Sequence, residues 1–161
     1  MDPFRQIASL ARASLAPAPS PPLRLSGFAA TPRLKVLLVE DDEADAYLIG
    51  QILEELPRVR EVMLAEDGVK ALELVRCGWF IPDLAIVDIR MPRMDGFSLL
   101  EDFAGLDGPR FPSLILTSSS SRVDAWRSMH YGAIEFLRKS TSRKRHFSKV
   151  ARRRRAPAKT A

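Results

Sequence analysis

From Leu34 onward the chain is organised by five short apolar runs, each followed after a polar break by a stretch with helical spacing. Leu34 to Val39 reads as a buried strand, and Ala44 to Leu56 as a helix ended by Pro57, with Leu48, Ile52 and Leu56 along one face. Arg60 to Ala65 is a second strand, less apolar and suited to a sheet edge. Asp67 is placed to cap the next helix, in which Val69, Leu72 and Val75 form a stripe before Gly78 stops it. Asp83 to Val87 makes a third strand, Phe97 to Leu106 a helix, Ser113 to Leu116 a fourth strand, Ser121 to Tyr131 a helix and Ile134 to Leu137 a fifth strand. This alternation predicts a doubly wound α/β fold, a parallel sheet covered on both faces, because each crossover helix must return the chain to the same end of the sheet.

The pattern fades at both ends. Pro17, Pro19, Pro21, Pro22 and Pro32 lie among Ala, Ser and Gly, a composition that builds no core, so residues 1–33 are expected to be a disordered Pro/Ala-rich leader. A last helix has only Phe147, Val150 and Ala151 for an apolar face before the four arginines Arg152 to Arg155, which predicts a shortened helix. The folded domain is therefore placed at 34–150 and a basic disordered tail at 151–161. Charge follows the same division. Residues 1–33 carry a net +3, residues 34–137 carry ten basic against nineteen acidic side chains, and residues 138–161 carry eleven basic and no acidic ones. The whole-chain +5 thus belongs to the ends, around an acidic body. Cys77 is the only cysteine, which excludes an internal disulfide and a cysteine-rich metal site and fits a reducing, cytoplasmic setting. No run of 18 apolar residues exists, so no membrane span is expected.

Chemistry is concentrated where the apolar runs end. Glu40, Asp41 and Asp42 follow the first run and Asp88 the third, while Thr117 and Lys139 follow the fourth and fifth. Ligands of open parallel sheets bind beyond the carboxyl ends of the strands. If the first and third strands are neighbours, these carboxylates gather at one edge and need a cation or a proton to stay together. Asp41 and Asp88 are hard oxygen ligands suited to Mg²⁺; Glu40 is suited to orienting metal-bound water, and Asp42 to starting the following helix.

These segments resemble the receiver domain of two-component response regulators. The likeness rests on Leu37-Leu38-Val39-Glu40-Asp41-Asp42, on Val87-Asp88-Ile89-Arg90-Met91-Pro92-Arg93-Met94-Asp95-Gly96, on Leu116-Thr117-Ser118 and on Gly132-Ala133-Ile134-Glu135-Phe136-Leu137-Arg138-Lys139. The resemblance implies a flavodoxin-like fold with strand order 2-1-3-4-5 and five helices, with 34–150 as the receiver domain. It implies Asp88 as phosphoacceptor, Mg²⁺ held by Asp41, Asp88 and the Arg90 carbonyl, Glu40 as the supporting acid, Thr117 and Phe136 as switch residues, and Lys139 as the phosphoryl-contacting lysine. The catalytic group is then Asp88, Thr117 and Lys139. The donor would be a phosphohistidine on a sensor histidine kinase or histidine phosphotransfer protein, and the output a protein contact or a homodimer; the chain itself is a phosphoacceptor rather than an enzyme, with its own dephosphorylation implied. Leu38-Val39-Glu40-Asp41-Asp42-Glu43-Ala44-Asp45 looks like the stand-alone branch that includes phytochrome-associated regulators. Pro92 and Gly96 shape the loop after Asp88, Gly96 by a conformation other residues avoid, and Ser119, two residues past Thr117, is placed to tune water access. In one departure, Ser140 stands where the family has proline, often cis. A cis bond to a non-proline residue costs about 2.5–4 kcal/mol, which predicts a trans link and a less firmly placed Lys139.

Each residue also has a plainer reading: Asp88 as a turn or cap, Asp41 as a cap, Thr117 as a strand end, Lys139 as a surface lysine, Phe136 as permanent core, and His130 and His146 as solvated or locally bonded. Two other functional classes stay open, a phosphorylation-independent receiver-like scaffold and a nucleic-acid-associated regulator using Arg152 to Arg155. The absence of a base-reading helix disfavours the second.

Overall fold

A computed structural model describes residues 33–108 and 110–139. The expected leader, last helix and basic tail, together with Ser140 and His146, lie outside the described residues. Nine elements alternate along the described residues: β1 (Leu34–Val39), α1 (Glu43–Glu54), β2 (Val59–Ala65), α2 (Gly68–Arg76), β3 (Leu84–Val87), α3 (Gly96–Gly105), β4 (Ser113–Thr117), α4 (Arg122–His130) and β5 (Ala133–Arg138). The strands form one sheet in the order β2-β1-β3-β4-β5 with every pairing parallel. This is the doubly wound order expected from the resemblance.

Period-two alternation sends successive side chains to opposite faces of the sheet. Leu37, Val39, Ala85, Val87 and Ile115 meet Leu72, Phe97, Leu99 and Phe103 on one face. Val36, Leu38, Ile86, Leu114 and Leu116 share the other with Ile49 and Leu53. β3 is buried at all four positions, as a central parallel strand must be. β2, at the edge, is buried only at its ends, Val59 and Ala65, with exposed or half-buried positions between them, which explains its weaker apolar signal.

Every described helix starts from a side-chain cap. Asp42 accepts the Asp45 N–H at 2.9 Å, Asp67 that of Lys70 at 2.8 Å, Asp95 that of Ser98 at 2.8 Å and Ser121 that of Asp124 at 3.2 Å. Such caps contribute about 1 kcal/mol each, and here they start α1, α2 and α4 within a few residues of the strand end before them, while α3 follows the longer loop after Asp88.

Two helical faces differ from expectation. In α2, Val69 is exposed while Gly68, Ala71 and Leu72 are buried. A stripe drawn at steps of three drifts around a helix of 3.6 residues per turn, and the true face alternates three and four. In α1 the buried apolar residues are Ala46, Leu48, Ile49 and Leu53, while Ile52 and, past the helix end, Leu56 are only half-buried, because a stripe drawn at steps of four drifts the opposite way.

Candidate functional site

The parallel ladder carries the strand ends to one edge. The Asp88 N–H donates to the Val39 carbonyl at 3.0 Å, setting Asp88 beside the residue that precedes Glu40, and the Lys139 N–H donates to the Thr117 carbonyl at 2.8 Å. Glu40, Asp41 and Asp88 thereby present carboxylate oxygens within 4.8 Å of one another. Glu40 and Asp88 are buried and Asp41 is exposed.

Lys139 closes this group. Its Nζ lies 2.5 Å from Glu40 Oε2, 2.6 Å from Asp88 Oδ2 and 3.2 Å from Asp45 Oδ2. One ammonium thus sits among three carboxylates, hydrogen-bonded to Glu40 and Asp88 and ion-paired with Asp45. The expectation of a loosely placed lysine is therefore not met. Its backbone is held by β4 and its head by three acids, whatever follows at Ser140. The other Asp88 oxygen, Oδ1, accepts the Ile89 N–H at 2.6 Å, with the Arg90 N–H at 3.5 Å. Burial pushes the Glu40 carboxyl up to about 7, against the downward pull of the Lys139 ammonium and with added repulsion from Asp88 and Asp45. Burial also disfavours the Lys139 ammonium, but Glu40 and Asp88 outweigh it and hold its pKa above the ordinary lysine value.

The loop after Asp88 is shaped by contact. A Cβ on Gly96 would collide with the Asp88 carbonyl and lie 3.0 Å from Ile89 Cα. Gly96 thus serves close approach, and the left-handed conformation falls instead to Arg93, at φ 66°. Arg93 pairs with the buried Asp67 that caps α2 and lies 3.3 Å from Glu66, tying the loop to that helix. Thr117 is buried, and its Oγ1 accepts the Ser119 N–H at 3.3 Å. Phe136 is half-buried against the α2/α3 side of the core, opposite Ile115 of β4. The Arg90 side chain is exposed. His130 stacks on Trp126 with ring centroids 5.2 Å apart, a local bond rather than a ligand position.

Asp45 is the residue that sequence reasoning missed. An acid in the first turn of a capped helix ordinarily reads as surface charge favoured by the helix dipole. The signal was its spacing: Asp45 lies one turn before Leu48 and Ile49 and so falls on the buried stripe. The Asp42 N–H, to which an acid at this position would fold back, is instead taken by Glu40 Oε1 at 3.3 Å. The Asp45 carboxylate is turned inward to Lys139.

The residues present suit a hard divalent cation, since three carboxylates converge and one of them opens to solvent. No helix among the described residues is long and apolar enough to cross a membrane.

Comparison with known proteins places this geometry. Residues 36–151 match the response regulator receiver domain. The chain is 36% identical over 105 residues to the Regulator of RpoS of Escherichia coli strain K12, covering 65% of this chain and 30% of that protein, so it spans about a third of that relative's length. Among solved structures it is similar to the phosphorylated cyanobacterial phytochrome response regulator RcpA, at 28% identity and TM-score 0.64 over 73% of this chain and 89% of that one. It is also similar to the Mn²⁺-bound form of response regulator Rcp1, at 28% identity and TM-score 0.63 over 73% and 88% of the two chains.

Proposed function

We propose, from the premise that this chain belongs to the response regulator receiver family, that it accepts a phosphoryl group on Asp88 and signals through protein contacts. The donor in this reading is a phosphohistidine of a sensor histidine kinase or phosphotransfer protein. An Asp88 oxygen forms the new bond to phosphorus as the P–N bond breaks and its electron pair returns to the imidazole. The N–H bond from Ile89 keeps the carboxylate from rotating. Lys139 follows the phosphoryl charge from its position against Asp88, so the negative charge gathering there already has an ammonium in contact. Thr117 moves its hydroxyl toward the modified aspartate, and Phe136, half-buried beside β4, repacks into the vacated space.

Asp41, Asp88 and the Arg90 carbonyl are the groups that would hold Mg²⁺, with Glu40 behind them. That ion supplies neutralisation of the clustered carboxylates and of the incoming phosphoryl oxygens. Similarity to a Mn²⁺-bound regulator supports a divalent ion of this size class. Similarity to a phytochrome response regulator makes a phytochrome-type kinase the first donor to test. A cytoplasmic regulator that dephosphorylates itself completes the proposal.

The observation that carries this reading is the Asp88 carboxylate, fixed by a backbone N–H on one oxygen and by Lys139 on the other, inside the acidic cluster. Acyl-phosphate labelling in Mg²⁺ tests it. The parent should be labelled and Asp88→Asn should not; equal labelling of both removes Asp88 from the role.

A further inference from the structure

The loop from β4 to α4 is a run of four serines, Ser118 to Ser121, and one of them behaves unlike an ordinary loop hydroxyl. Ser119 is only 6% exposed. Its Oγ accepts the Ser121 N–H at 3.2 Å and donates to Asp124 Oδ2 at 2.5 Å, so the hydroxyl proton is committed to a carboxylate. Its N–H donates to Thr117 Oγ1. A continuous chain of bonds therefore runs from the switch hydroxyl to the first turn of α4.

We propose that the Ser119–Asp124 hydrogen bond is a latch holding the Thr117 loop in its resting position, with Asp124 a positioning residue for the switch hydroxyl. This rests on the phosphoacceptor reading of Asp88. When the Thr117 hydroxyl leaves for a phosphoryl group, the buried Ser119 N–H loses its acceptor and must move as well. Ser119 cannot follow freely while its own hydroxyl is bound to a carboxylate, a stronger bond than one between neutral groups. Asp124 in turn is fixed. Its N–H is capped by Ser121, its carbonyl accepts the buried Ser128 hydroxyl at 2.7 Å, and Arg127 of the same helix lies 4.1 Å from the Phe97 ring centroid on α3. Either α4 shifts with the loop or the bond breaks, so its strength sets the balance between resting and active states. A ligand selective for the active state binds more tightly when that state is more populated.

The test uses beryllofluoride in Mg²⁺ as a phosphoryl mimic, with the full chain, its apparent dissociation constant read by ¹⁹F resonance and thermal melts run alongside. Ser119→Ala and Asp124→Asn should each bind about tenfold more tightly than the parent, and the double variant no more tightly than the tighter single variant, because the Ser119–Asp124 bond is the one that both remove. Single variants that melt earlier but bind no more tightly would show a merely structural bond and overturn the latch. A double variant that multiplies the two gains would overturn it too, by showing independent effects. A parent that binds no beryllofluoride would instead refute the phosphoacceptor reading beneath it.

Discussion

Replacing Lys139 by methionine keeps much of the side-chain volume and deletes the charge on which three carboxylates converge. At the observed separations of 2.5, 2.6 and 3.2 Å, Coulomb attraction at an effective dielectric of 20 amounts to about 5–7 kcal/mol per contact. Desolvation of the charges offsets much of this, and removing one partner of a buried ion pair costs about 3–5 kcal/mol. For a domain of this size the melting temperature should fall by roughly 12 °C or more at pH 8 in EDTA. The loss depends on pH with a definite sign. The Glu40 carboxyl is already raised from 4.5 to about 7, so its contribution to stability is present below pH 4.5 and lost as pH rises through about 7. Lys139 is what pulls Glu40 down, so in Lys139→Met this carboxyl rises further and takes up a proton at neutral pH. The deficit relative to the parent should shrink toward pH 5.5, where Glu40 is neutral in both proteins. It should shrink again at pH 8 when millimolar Mg²⁺ replaces the lost charge. Melts of both proteins at pH 5.5 and 8, with EDTA and with Mg²⁺, decide the matter. A variant as stable as the parent at pH 8 in EDTA would refute the reasoning, as would a deficit indifferent to both pH and Mg²⁺.

The remaining predictions use other parts of the site. Asp41 is exposed and lacks the Lys139 contact, so Asp41→Asn should weaken Mg²⁺ binding by about tenfold in a calorimetric titration while leaving stability within about 0.5 kcal/mol. Gly96→Ala places a methyl against the Asp88 carbonyl and should cost about 1–3 kcal/mol in urea unfolding. Asp45→Asn should lower stability by about 1–3 kcal/mol at neutral pH in EDTA; no loss would show that Lys139 does not depend on its third acid.

How much was legible in advance follows from the range of each interaction. The five strands and the chemistry at their ends could be read because a buried parallel strand is a continuous apolar run and its end is an abrupt change of polarity. Asp88 after Leu84-Ala85-Ile86-Val87 is such a change, and Thr117 and Lys139 are others. The faces of α1 and α2 were read less well, since rotation about a helix axis is settled by what packs against it. Gly96 was singled out correctly for a backbone constraint but for the wrong one, because close approach to Asp88 depends on how α3 docks.

By itself, then, the sequence determined the alternation of elements, the acidic edge and the identities of the groups gathered there, all of which depend on local polarity. Only the tertiary structure decided that Asp45 turns inward and that Lys139 lies within ion-pair distance of three acids. It also decided that Ser119 is tied to Asp124 and that Arg93 bridges to the cap of α2. The Lys139–Asp88 contact joins residues 51 positions apart, and Arg93 reaches Glu66 across 27. The choice of partner for a buried polar atom depends on which acceptors the folded chain brings within 3 Å, and no periodicity in the sequence encodes that.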